Sequence, residues 1–82
     1  MGNEPSIDLP AFRRAVELNP NSGPAHSALG IALARSGDPA GAAVAFRRAI
    51  ELTPNGPDVY LHYGNALLAL GRYAEEIGRA HV

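Results

Sequence analysis

The sequence predicts an all-α protein: an α-solenoid of antiparallel helix pairs with a 34-residue period, about two and a half repeats long. Three observations carry this. Residues 11–20 read Ala-Phe-Arg-Arg-Ala-Val-Glu-Leu-Asn-Pro, and residues 45–54 repeat them with only Val16 changed to Ile50 and Asn19 to Thr53. Gly30 and Gly64, Leu33 and Leu67, and Gly37 and Gly71 keep the same spacing of 34. Short segments rich in Pro, Gly, Asn and Asp punctuate apolar stretches of helical periodicity. A period of this size marks stacked helical units, each burying its apolar face against its neighbours.

Residues 1–7 are polar, carry Pro5 and read as a disordered lead-in. Residues 8–22 read as the second helix of a partial repeat. Asp8 caps it, Pro10 sits in its first turn, and Phe12, Ala15, Val16 and Leu18 form its apolar stripe. Pro20 ends it, because the residue before a proline avoids helical geometry.

Residues 23–56 form one complete repeat. Ser22 caps its first helix, which is apolar at Ala25, Ala28, Leu29, Ala32 and Leu33, and Gly37 supplies a left-handed stop. Asp38 and Pro39 open the second helix, expected to bury Ala42, Ala43, Phe46, Ala49 and Ile50 and to end at Pro54.

Residues 57–75 start a further repeat. Pro57 or Asp58 opens a helix through Tyr60, Tyr63, Leu67 and Leu70; Gly71 is expected to stop it, with a fourth helix from residue 73. A glycine inside a helix costs about 1 kcal/mol against alanine. Gly30 and Gly64 are therefore expected where a partner helix approaches closely, with Ala42 opposite Gly30 and Phe46 filling the gap further along. His26 and Tyr60 are expected at the interface within each helix pair.

Composition excludes several functions. Of 82 residues, seven are basic, all Arg, and eight are acidic, for a net charge of −1. No basic stripe is available for a phosphate backbone, so nucleic acid is not the expected partner. Arg13-Arg14 and Arg47-Arg48 recur with the period and read as a solvated convex face, with Arg13–Glu17 and Arg47–Glu51 as weak helix pairs. Cysteine is absent, and His26, His62 and His81 lack the spacing of a metal site. The chain has no glycine-rich phosphate loop and no convincing serine–histidine–acid set; Glu75 and Glu76 diverge by about 100° on a helix. No catalytic residue, cofactor or metal is expected. No apolar run approaches a membrane span, and no signal-peptide pattern opens the chain, so a cytoplasmic location is expected. Abundant Ala, Gly, Pro and Arg without Lys suggest a GC-rich, bacterial coding sequence.

Taken together, these residues resemble the tetratricopeptide repeat. Its 34-residue pattern places W-x2-L-G-x2-Y before A-x3-F and a closing proline. Leu29-Gly30, Ala42, Phe46, Ala49 and Pro54 match it, as do Gly64 and Tyr73 in the next unit and Phe12, Ala15 and Pro20 in the preceding one. His26 and Tyr60 stand at the Trp place, Tyr63 at the Leu place, and Leu33 and Leu67 at the Tyr place. The resemblance covers about residues 8–75. It implies repeat packing through Leu29, Gly30, Leu33, Ala42, Phe46, Ala49, Pro54, Gly64 and Leu67.

It also implies a scaffold that binds an unidentified protein or peptide on a concave face lined by the first helix of each pair. By register, that face holds Pro24, Ser27, Ile31, Ala34 and Arg35, then Asp58, Leu61, His62, Asn65 and Leu68. The family's specialisation for chaperone-tail carboxylates needs Lys and Asn where Ser27, Ile31 and His62 stand, and is not expected. A second reading makes the chain a non-catalytic segment of a larger enzyme, such as a glycosyltransferase with an N-terminal repeat array. A fragment of a longer repeat protein is expected in either setting, with weak self-association through the exposed repeat ends.

Residues 76–82 depart from the pattern: Glu76 stands where Ala42 stands one unit earlier, and Ala80 where Phe46 does. Burying Glu76 unpaired against Gly64 is costly. The segment Glu-Ile-Gly-Arg-Ala-His-Val is also what read-through of a common sequencing adapter would encode. The tail is therefore expected to be non-native beyond Glu75, with an atypical capping helix as the alternative.

Overall fold

A computed structural model describes residues 7–80, apart from the side chains of Pro57 and of residues 73–80. The expectations for residues 1–6, for His81, and for the side chains of Tyr73, Glu75 and Glu76 lie outside the described residues. The described chain is all helical: α1 spans Leu9–Leu18, α2 Gly23–Arg35, α3 Pro39–Leu52 and α4 Pro57–Ala80. Short turns join them, and each helix packs on the next in order.

Three of these helices start in the same way. The carboxylates of Asp8 and Asp38 and the hydroxyl of Ser22 accept from the backbone N–H groups of Ala11, Gly41 and Ala25, at 3.2, 2.9 and 3.2 Å. Each satisfies an amide that the first helical turn would leave unpaired, and a proline follows within two positions, where no N–H is needed. The turn from α2 to α3 needs a left-handed residue. Gly37 has φ +85°, its N–H donates to the Ala34 carbonyl at 3.1 Å, and the Asp38 N–H reaches back to Leu33 at 2.9 Å. This double closure ends α2 and turns the chain directly into the cap of α3.

The core lies where α2, α3 and α4 meet. It consists of Leu33, Ala42, Ala43, Ala45, Phe46 and Ala66, with Leu29, Val59, Tyr63 and Leu70 packed against it. Phe46 is the largest fully buried side chain, 1% exposed. α1 contributes half-buried Phe12, Ala15 and Val16 and no fully buried residue.

Several expectations need correction. Gly71 does not end a helix; α4 continues through it for 24 residues, about 36 Å at 1.5 Å per residue. The cause is the dipeptide after each glycine. Gly37 precedes Asp38-Pro39, a cap and a residue that cannot continue a helix, whereas Gly71 precedes helix-compatible Arg72-Tyr73.

The nearest neighbour of Gly30 is Phe46, not Ala42: a Cβ built on Gly30 would stand 2.6, 2.7 and 2.9 Å from three ring atoms of Phe46. At Gly64 the expected close approach is missing, since a Cβ there meets nothing within 4 Å among the described residues. Leu67 and Tyr60, expected in packing roles, are 47% and 49% exposed, because α4 runs straight on and no second helix of that unit folds back over them. Leu18 is 67% exposed and Ile50 only half-buried. Arg48, not Arg47, pairs with Glu51, at 3.1 Å and one helical turn away.

Candidate partner-binding face

α2 and α4 are the first helices of successive repeat units, so residues one period apart fall at matching positions along them. Five of the expected face residues converge: Ile31, Ala34 and Arg35 from α2 and His62 and Asn65 from α4 line one recess of about 330 Å³. Phe46 from α3 also lines it, with its ring stacked on the His62 imidazole at 5.6 Å between centroids and 15° between planes. This stack seats His62 half-buried, while Arg35 and Asn65 are exposed. The recess thus combines an apolar surface from Ile31, Ala66, Ala69 and the Phe46 edge with a guanidinium, a carboxamide and an imidazole.

The remaining expected face residues lie elsewhere. Pro24, Ser27 and Asp58 line a separate recess of about 290 Å³ against Thr53 and Val59. Leu61 and Leu68 stand on open surface, 65% and 69% exposed, and line neither recess.

Of the residues implied in repeat packing, Gly30, Leu33, Ala42, Phe46 and Ala49 are buried and Leu29 is half-buried against the core. Pro54 is exposed, yet its carbonyl accepts a hydrogen bond from the Tyr60 hydroxyl at 3.0 Å. One period earlier, His26 Nε2 donates to the Pro20 carbonyl at 2.8 Å. Both side chains therefore tie the start of a helix to the proline turn before it.

Sequence reasoning missed the stack of His62 on Phe46 and the burial of Ala45 and Ala66. The period held a signal for Ala66, whose equivalent Ala32 has the same 4% exposure. No such signal existed for His62, whose equivalent is Ala28. Among the described residues no cluster of three potential metal ligands occurs, no buried polar side-chain atom lacks a partner, and no helix is long and apolar enough to cross a membrane.

Helices paired with a 34-residue period, a glycine accommodating an aromatic ring, and polar residues aligned on successive first helices define a helical-repeat protein. The family described as tetratricopeptide repeat matches residues 9–57 and again residues 28–81, and the chain belongs to this family. No curated protein matches the sequence. Repeats of this family generally mediate protein–protein interaction and are typically non-catalytic.

Proposed function

We propose that the chain is a protein-interaction module that takes an extended peptide segment across α2 and α4, acting by binding rather than by catalysis. The observation that supports this most directly is the convergence of Ile31, Arg35, His62 and Asn65 from two repeat units on one recess. A recess of about 330 Å³ has ample room for an aliphatic side chain lodged against Ile31 and the Phe46–His62 stack. Arg35 offers forked donors to a carboxylate or carbonyl beside it, and the Asn65 carboxamide can both donate to and accept from a peptide backbone. An apolar residue flanked by an acidic one is the side-chain pattern this chemistry favours.

Backbone-amide NMR during titration with a library of such peptides tests the proposal. The largest shifts are expected at residues 31, 35, 62 and 65, and Arg35→Glu should weaken binding about tenfold or more, as for a lost charge-assisted contact. Shifts confined to Arg47, Arg48 and Glu51, on the exposed side of α3, would overturn it.

A further inference from the structure

We propose that Asn55 is a site of covalent self-modification: the backbone nitrogen of Gly56 displaces its side-chain amide, and the residue passes to aspartate and isoaspartate. The reaction needs an asparagine free of helical constraint, a following residue whose nitrogen is unshielded, and an N–H whose proton can leave. The turn between α3 and α4 offers all three. Asn55 is exposed there, between Leu52 of α3 and Pro57 of α4. Gly56 follows it, and no Cβ stands beside the attacking nitrogen. The Gly56 N–H donates to the Thr53 carbonyl at 3.4 Å, longer than the range of about 2.7–3.2 Å for an ordinary N–H···O bond, so its proton is loosely held.

The repeat contains its own control. Asn21 stands one period earlier in the equivalent turn and is also exposed. Ser22 takes the place of Gly56, and its N–H donates to the Asn19 carbonyl at 3.0 Å. Its hydroxyl accepts from the Ala25 N–H at 3.2 Å as the cap of α2. The nitrogen next to Asn21 is therefore both shielded and held. Asn19 precedes Pro20, which has no N–H. Asn65 lies within α4, where the next N–H belongs to the helical hydrogen-bond ladder. Among the described residues, Asn55 is the asparagine that meets every requirement.

In the first step the Gly56 N–H proton leaves to base and the nitrogen bonds to Asn55 Cγ. The Cγ–Nδ2 bond breaks, ammonia departs, and a succinimide ring closes. Water then opens the ring. Cleavage of the new Cγ–N bond gives aspartate, and cleavage of the original backbone C–N bond gives isoaspartate, whose main chain runs through Cβ and Cγ. Either product adds a negative charge just before the first turn of α4, where Asp58 already stands. Isoaspartate also lengthens the link between the two helices joined by the Phe46–His62 stack.

Incubating the full 82-residue chain at neutral pH, with peptide mass mapping and isoaspartyl methyl transfer at intervals, tests this. Position 55 should gain about 1 Da as the amide becomes an acid, while Asn21 and Asn65 keep their amides. The rate should rise with pH, because a backbone proton must leave. Gly56→Ser recreates the Asn21–Ser22 pair and should slow the conversion about tenfold or more. The fold should tolerate it: Gly56 does not have a positive φ, and a Cβ there would stand 3.4 Å from the Val59 side chain, an ordinary contact. Asn55→Gln, which lengthens the reacting side chain, should abolish the signal. An Asn55 that keeps its amide, equal rates at Asn21 and Asn55, a Gly56→Ser variant that converts as fast as wild type, or a signal that survives Asn55→Gln would each overturn the proposal.

Discussion

Gly30 and Gly64 occupy the same place in successive repeat units, and their surroundings differ completely. At Gly30 the missing side chain makes room for the Phe46 ring, and a Cβ would overlap it at 2.6 Å. At Gly64 the same residue in the same helical register faces open space among the described residues. The glycine is thus one half of a contact whose other half is the second helix of the unit. Where that helix is present, the glycine's cost in helix propensity is offset by close packing; where it is absent, only the cost remains. The repeat motif therefore describes a pair of helices, and a single helix carrying its half of the motif does not acquire the pair's stability.

The comparison can be broken most severely at its aromatic member. Phe46→Ala removes the one large side chain that is fully buried among the described residues and should destabilise the chain by about 3–5 kcal/mol. The same change at its half-buried equivalent, Phe12, should cost distinctly less. Urea melts of the two variants measure the difference, and equal losses would show that α1 is held as tightly as α3.

Next in size is Gly30→Leu, which forces a branched side chain into the Phe46 ring and should cost roughly 1–3 kcal/mol or more. Gly64→Leu should stay within about 0.5 kcal/mol of the parent, as surface changes do, since its side chain points into open space. Thermal melting by circular dichroism separates the two. A matching drop at Gly64 would mean that a helix covers it in solution.

The smallest effect on stability should come from sharpening the contrast at the second glycine stop. Arg72→Asp with Tyr73→Pro recreates after Gly71 the Asp-Pro pair that stands after Gly37. The melt should move little, because the described core ends at Leu70. The shape should change: in a straight α4, spin labels at positions 58 and 80 stand about 33 Å apart, from the rise of 1.5 Å per residue, and a turn at Gly71 shortens that distance. An unchanged distance by pulsed electron resonance would show that the residues after the glycine do not decide whether the helix stops.

Local features were legible in the sequence wherever the chain itself carries both partners. Asp8, Ser22 and Asp38 cap helices because the amides they satisfy lie three residues on, and Gly37 turns the chain through hydrogen bonds to its own preceding turn. Pairing of α2 with α3 was legible for the same reason, since one full period contains both. Legibility failed where a residue's environment depends on a helix elsewhere. Leu33 and Leu67 are equivalent in sequence, yet one is 4% and the other 47% exposed. The period alone could not distinguish them. On the candidate face, register grouped Ile31, Arg35, His62 and Asn65 with Leu61 and Leu68, whereas the first four share a recess and Leu61 and Leu68 stand apart from it. That separation follows from the helix itself: Leu61 and Leu68 each stand one residue, about 100°, round α4 from His62 and Ala69, which line the recess.

The hydrogen bonds from His26 and Tyr60 to the proline carbonyls have a consequence for how such repeats vary. A carbonyl only accepts, so His26 must hold its proton on Nε2, the ring atom farthest from its backbone, just as Tyr60 offers its terminal hydroxyl. An imidazole and a phenol share neither charge behaviour nor volume. They share a donor at the far tip of a flat ring, six residues beyond the carbonyl it reaches. This position in the repeat therefore asks for a ring-borne donor that can be brought to the proline carbonyl rather than for one chemical type, and an imidazole and a phenol both supply it.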